Sequence, residues 1–229
     1  MWAWFAAVRE RADVKINIVF PATEDHVRKY RKQQYAMFRE SPELYKNIVE
    51  PYISSLPKSR TQWVQDILDG KSEVEKVLFS SSDFILLPDM KWDLRTLSSL
   101  YIVAIARNSS IKCLRDLRAC HLPLLKGIEA AAHSVVQERW GLGFSDLRMF
   151  VHYQPTYYHF HVHIVNANAG ESAARMSVGQ AHLLGDVISL LEVDGHVYER
   201  MTLSYQLGLE SKLAELYRLF STTRERATS

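Results

Sequence analysis

The chain has 229 residues, 47% of them hydrophobic, with 28 Lys and Arg against 26 Asp and Glu. That supplies one sizeable domain with an appendage or two small domains, and the near-balanced charge argues against coating of long duplex nucleic acid. Two cysteines, no apolar run of about 18 residues, and a short apolar opening followed by Arg9-Glu10-Arg11 argue against a disulfide scaffold, a membrane span and a signal peptide, and point to the cytosol or nucleus.

Residues 15–20 read as a strand ended by Pro21. Thr23 then caps a helix that carries the cluster Arg28-Lys29-Tyr30-Arg31-Lys32 to about Arg39. Such a cluster is either the solvated face of a helix or an import signal. Ser41-Pro42 opens a second helix to about Val49, residues 54–59 form a loop, and residues 63–68 form a short helix stopped by Asp69-Gly70. Residues 74–79 and 84–87 read as a hairpin around Ser80-Ser81-Ser82-Asp83. The apolar run 100–106 is a buried strand or a helix end, which periodicity alone does not decide. A short helix is expected over 110–117. A long one is expected over 121–140, with Leu125, Ile128, Ala132, Val135 and Val136 on one side and Gly141 as its stop. Strands follow at 147–153 and 157–167, separated by a bend at Pro155-Thr156, and a loop at 168–172. Val178, Ala181, Leu184, Val187, Ile188 and Leu191 predict a helix over 176–191; a strand at 201–207 and a helix at 209–220 close the chain. Antiparallel strands interleaved with helices make the fold α+β.

The run His159-Phe160-His161-Val162-His163 is the most informative feature. In a strand the three imidazoles share one face, roughly 6.6–6.8 Å between like neighbours, and the two apolar side chains share the other. Three readings are open. The first is a half-buried strand with incidental polar groups. The second is a metal site, with His152 from the preceding strand as a further ligand, although no cysteine pair or His-Glu-x-x-His helix supports it. The third is nucleophilic catalysis, in which neutral imidazole attacks phosphorus and flanking rings fix its tautomer and stabilise phosphoryl charge.

The longer string from His152 to His163, HYQPTYYHFHVH, resembles the signature of the histidine-triad hydrolases, and more narrowly their scavenger mRNA-decapping branch. Residues 15–30 (KINIVFPATEDHVRKY), 62–68 (QWVQDIL), 84–92 (FILLPDMKW) and 189–192 before Tyr198 have counterparts in the same order, so the resemblance covers the chain from about residue 14. It implies a histidine-triad core of antiparallel sheet with flanking helices over 41–229, preceded at 1–40 by the remnant of an N-terminal arm and a connecting helix. It also implies hydrolysis of short 7-methylguanosine-capped RNA or cap dinucleotides, with release of 7-methyl-GMP. Such enzymes use no metal or other cofactor and are homodimers; cytoplasm and nucleus are the expected locations.

By the same resemblance His161 is the nucleophile, flanked by His159 and His163. Trp63 stacks on the methylated base, and Met90 covers the other face. Glu73 and Asp89 accept from its Watson–Crick edge, and Lys91 binds phosphate. His152, Tyr153, Thr156, Tyr157 and Tyr158 complete the substrate-binding set. Of the two adjacent tyrosines one is expected to reach phosphate while the other packs. Beyond that string the chain departs from the family pattern at residues 166–174, where a glycine-rich stretch is expected, and at Gln180, where a related enzyme has arginine. Three rivals stand beside this reading: a dinucleotide hydrolase indifferent to methylation, a cap-binding protein of low turnover, and a zinc enzyme.

Overall fold

The computed structural model describes residues 32–169 and 178–227, with isolated earlier positions at 18, 20–22 and 27. The chain divides into two compact units, residues 1–34 and 35–229. The strand expected at 15–20 and the first part of the helix expected from Thr23 fall almost wholly outside the described residues.

In the larger unit, β1 (Tyr35–Glu40) leads into a helical stretch made of α1 (Pro42–Leu44), a π-helical turn (Tyr45–Val49) and α2 (Glu50–Ser55). Next come α3 (Gln62–Leu68), β2 (Phe79–Ser80), β3 (Phe84–Pro88), β4 (Tyr101–Ala106) and the long α4 (Leu122–Trp140). The chain finishes with β5 (Leu147–His152), β6 (His161–Asn166), β7 (Ala181–Leu183), α5 (Leu184–Val193), α6 (Val197–Arg200), β8 (Leu203–Gly208) and α7 (Lys212–Ala227). The main sheet is antiparallel in the order β2-β3-β4-β6-β5-β7, and β1 pairs with β8 in a second sheet. This is the α+β architecture expected.

Sheet register explains where the histidines point. His163 lies opposite Val103 on one side and Phe150 on the other, and His161 lies opposite Ile105. Directly paired residues share a face, so Ile85, Leu87, Val103 and Ile105 form an apolar floor beside the histidines. Val64 and Ile67 of α3 pack on that floor. Phe84, Leu86, Ala104, Val162 and Ile164 face the other way, into the cluster that includes Leu125, Ile128, Ala132 and Val136 of α4. Each Leu, Ile, Val or Phe among them contributes about 1.5–3 kcal/mol on full burial. A one-residue slip of β6 would send the imidazoles into that core, so burial fixes the register.

Several elements differ from expectation. Residues 35–40 are strand, not the end of a helix, because Tyr35↔Gly208 through Glu40↔Leu203 pair with β8. The larger compact unit begins at Tyr35. The second helix runs past Val49 to Ser55. Residues 74–76 form a 3-10 turn, and only Phe79–Ser80 joins the hairpin, since Glu73 takes a left-handed conformation (φ 55°) just before. The helix at 110–117 shrinks to one turn, Leu114–Asp116. Ala181 belongs to β7, paired with His152, so α5 starts only at Leu184. The apolar run ending at Ala106 resolves as a strand, and the histidine strand starts at His161, not Tyr157.

Candidate active site

His159 precedes β6 and is held by tertiary bonds in place of a strand ladder. Phe160 donates its N–H to the Ile111 carbonyl, and the Phe160 carbonyl accepts from Ala106 N–H (2.8 and 3.1 Å). The His159 ring donates from Nε2 to the Ala106 carbonyl at 2.6 Å. His161 donates from Nδ1 to the His159 carbonyl at 2.8 Å. A carbonyl only accepts, so Nδ1 carries the proton and Nε2 of neutral His161 carries the lone pair.

His161 is 4% exposed. Burial above all pushes its pKa down to about 4, with the positive ends of His152, His159 and Lys91 adding to the effect; the bond to the His159 carbonyl opposes it. His159 is also depressed by burial. The nucleophilic form of His161 is thus the resident form at neutral pH. Tyr157 stacks on its ring at 4.2 Å and 12°. The lone pair of Nε2 lies in the ring plane, so a ring stacked on the face does not block it. His163 meets the same ring edge-on at 4.8 Å, and its Nδ1 shares a 3.0 Å hydrogen bond with the Tyr101 hydroxyl. The His152 ring lies 4.5 Å from that of His163. Among the described residues no group of three or more His, Cys, Asp or Glu side chains is placed to hold a metal ion.

The other expected residues divide into those that reach this cluster and those that do not. Trp63, on the half-exposed side of α3, touches Tyr157 edge-to-face at 4.9 Å, so Trp63, Tyr157 and His161 form a continuous aromatic chain. Asp89 follows β3. Its carboxylate accepts from Lys91 N–H (2.9 Å) and lies 3.4 Å from Lys91 Nζ, and its charge helps burial raise the Tyr157 phenol. Lys91 Nζ sits 4.7 Å above the Tyr101 ring. Met90 projects to solvent, 91% exposed. Glu73 lies 3.5 Å from Lys76, on the turn before β2.

The two adjacent tyrosines separate cleanly. The Tyr158 hydroxyl donates to Gln154 Oε1 at 3.0 Å, and its ring packs on Tyr52. Tyr157 keeps its hydroxyl out of any hydrogen bond among the described residues. Thr156 is exposed at the mouth of a cavity of about 520 Å³ that Tyr157, Tyr158 and His159 also line. Tyr153 does not join the site. It is fully buried, and its hydroxyl donates to Glu40 Oε1 at 2.6 Å, because alternation after His152 turns it away from the histidine face.

Three residues of the site and its support, Tyr101, Glu40 and Arg115, lay beyond the sequence reading. Tyr101 opens the 101–106 strand on the same face as Val103 and Ile105; once that run is read as strand, its hydroxyl is the polar exception on the histidine side. Glu40 and Arg115, both buried, form an ion pair at 2.8 Å behind the site. Only long-range contacts reveal it.

A family model described as "Scavenger mRNA decapping enzyme C-term binding" matches residues 62–178, and one for the scavenger mRNA decapping enzyme N-terminal region matches residues 1–33. Proteins named m7GpppX diphosphatase from Bos taurus and Homo sapiens are 40% and 39% identical over 212 residues, 91% of this chain and 62% of theirs. One from Schizosaccharomyces pombe is 38% identical over 85% of this chain and 65% of its own. The chain therefore spans about three fifths of the length of the relatives it matches. A solved structure of an aprataxin ortholog, Hnt3, in complex with DNA covers 70% of the chain at 14% identity and a TM-score of 0.39. The matched region holds the aromatic chain from Trp63 to His161 together with Asp89, Lys91 and all three histidines, and the protein belongs to the scavenger mRNA decapping enzyme family.

Proposed function

We propose that the protein hydrolyses the triphosphate bridge of short 7-methylguanosine-capped RNA or cap dinucleotides and releases 7-methyl-GMP. The observation that carries this is the His161 tautomer: Nδ1 is committed to the His159 carbonyl, which leaves Nε2 as an unprotonated nucleophile at neutral pH. Nε2 attacks the phosphorus next to the methylated nucleoside. The N–P bond forms as the bond from that phosphorus to the bridging oxygen breaks, and a nucleoside diphosphate or diphosphate-ended RNA leaves with the electron pair. The imidazole becomes cationic, and the Nδ1–H bond to a carbonyl strengthens as that charge develops. Water then attacks phosphorus, releases its proton, and the N–P bond returns its electrons to Nε2.

Base recognition follows from charge. N7-methylated guanine is cationic, so stacking on the Trp63 indole gains about 0.5–2 kcal/mol of cation–π energy over the unmethylated base. Asp89 offers acceptors and negative charge to such a base, as does Glu73 from its turn. Met90 covers the opposite face from an exposed position that needs no rearrangement of the core. Lys91 and the Tyr157 and Tyr101 hydroxyls serve the phosphates, with Thr156 and His152 at the margins of the same surface. This reading extends to a homodimer that works in the cytoplasm and nucleus without metal; sedimentation of the purified chain, fractionation of cells and turnover in chelator test the three additions.

The test is turnover of a methylated cap dinucleotide by the 229-residue chain, with products identified by mass. His161→Asn is expected to abolish 7-methyl-GMP release while leaving the circular-dichroism spectrum unchanged. Undiminished turnover by the variant refutes the mechanism. Equal rates on methylated and unmethylated caps point to the dinucleotide hydrolase. Tight binding without turnover points to a cap-binding protein, and loss of activity in chelator to a metal enzyme.

A further inference from the structure

The cavity of about 520 Å³ beside His159 has a charge pattern that the cap-binding residues do not account for. Among the described residues, Lys58, Arg60 and Lys112 lie on its wall and no carboxylate does. Over the whole chain cations and carboxylates nearly cancel, so three cations without a carboxylate in one cavity is a local excess. The side chains of Lys58 and Lys112 make no hydrogen bond or ion pair among the described residues, and both residues are exposed. Lys58 comes from the 3-10 turn before α3, and Lys112 from the segment between β4 and α4, so the chain brings the two charges together from distant positions.

The cavity also adjoins the nucleophile. His159 lines it, and the carbonyl of His159 is the one that holds His161 Nδ1 at 2.8 Å. Tyr157 lines it and stacks on His161. Tyr158 supplies a second aromatic ring on the wall. Cations that track a phosphate backbone, interleaved with aromatic rings on which bases stack, are the recurrent means of holding single-stranded nucleic acid.

We propose that this cavity binds the RNA body of the substrate: the phosphodiester-linked nucleotides downstream of the triphosphate, which leave with a 5′-diphosphate. The proposal rests on the reading of capped RNA as substrate and adds a second subsite to it. The methylated base sits on Trp63, phosphorus sits at His161, and the departing chain runs along Lys58, Arg60 and Lys112. A cap dinucleotide, with one downstream nucleoside and no phosphodiester, fills this subsite only in part.

The decisive measurement uses an uncapped tetranucleotide RNA with a 5′-diphosphate and a 3′-fluorescein, so that its outcome is independent of cap chemistry. Anisotropy titrations at several salt concentrations compare the unaltered chain with Lys58→Ala/Lys112→Ala. The expected result is about tenfold weaker binding and a slope of log K against log salt reduced by about 1.4, from 0.7 per lost phosphate contact on a single strand. Lys58→Arg/Lys112→Arg keeps the charge and is expected to restore both, which separates a lost contact from a misfolded protein. Equal affinity and slope in the alanine variant, or no binding by the unaltered chain, overturns the proposal. The second readout is kinetic: the ratio of kcat/KM for a capped tetranucleotide to that for the cap dinucleotide should fall about tenfold in the alanine variant. An unchanged ratio overturns the subsite. Absence of turnover on both substrates by the unaltered chain refutes the decapping reading alone, and the anisotropy still decides the cavity.

Discussion

A single backbone carbonyl decides what His161 is. Because the His159 carbonyl accepts from Nδ1, and because the ring is buried, the folded protein holds its imidazole neutral down to about pH 4, against an ordinary 6.5. The sign of the pH dependence follows. As the proposed nucleophile, His161 is competent above its folded pKa, so the acid limb of kcat/KM attributable to it should lie near pH 4; a limb centred at 6.5 would show that the ring titrates as if exposed. The same shift links to stability. The unfolded chain takes up a proton on this ring below about 6.5 and the folded chain does not, so the stabilisation is complete above 6.5 and drains away as pH falls towards 4. At full effect this amounts to about 3 kcal/mol. Urea unfolding of His161→Asn across pH 7 to 4 should therefore show a shallower loss of stability than the unaltered chain. Parallel curves for the two proteins would remove burial as the cause. The alternation of histidines made the imidazole cluster legible in the sequence. The tautomer was not, because His159 carries its carbonyl on an irregular segment that tertiary bonds to Ile111 and Ala106 shape.

At the level of elements, α3 sets the exposure of Trp63 through its packing. Val64 and Ile67 bury themselves on the floor made by Ile85, Leu87, Val103 and Ile105, and that anchorage presents Trp63 half-exposed, with its edge against Tyr157. Trp63→Ala should weaken binding of 7-methyl-GMP more than that of GMP, by about 2- to 30-fold for a cation–π difference of about 0.5–2 kcal/mol. Fluorescence titration with the two nucleotides measures it, and equal losses would refute the stacking role. Val64→Ala tests the anchorage instead of the contact, and both nucleotides should then weaken together. The helix at 62–68, the 84–88 strand and the long helix before Gly141 were readable because their periodicity and stop signals agree with their burial. The elements that went astray were decided by partners distant in sequence. Tyr35–Glu40 followed a helical pattern but is claimed by β8, some 165 residues on, and Ala181–Leu183 had helical spacing but is claimed by β5. Local propensity loses to ladder pairing in both places.

For the molecule as a whole, Glu40 adds a buried polar tie between parts that already share one hydrophobic core, Leu203, Tyr205 and Leu213 packing in the same cluster as Phe150 and Val162. Its carboxylate accepts from Arg115 Nε (2.8 Å), from the hydroxyls of Tyr153 and Tyr205 (both 2.6 Å), from Gln154 Nε2 (3.1 Å) and from Tyr217 (3.3 Å). Those partners come from the turn before α4, the segment after β5, β8 and α7, so one buried anion ties the two-stranded sheet to the end of the main sheet from which the histidine segment departs. Arg115 spends its remaining donors on the carbonyls of Glu40, Tyr198 and Met201. A buried pair satisfied this fully contributes little over an apolar replacement of the same shape, yet removing one partner strands the other charge away from water, at about 3–5 kcal/mol. Exposed pairs such as Lys212 with Glu215 differ in kind: water and salt screen them, and their loss costs well under about 1 kcal/mol. Glu40→Ala should therefore lower the urea midpoint far more than Lys212→Ala, with a single transition if the two sheets unfold as one body. A midpoint no lower than that of Lys212→Ala would show that Glu40 decorates an interface already held by apolar contact. Because Gln154 passes the bond on to Tyr158, on the wall of the cavity beside His159, the cost should also appear in turnover of the fraction that stays folded, as a fall in kcat larger than any rise in KM.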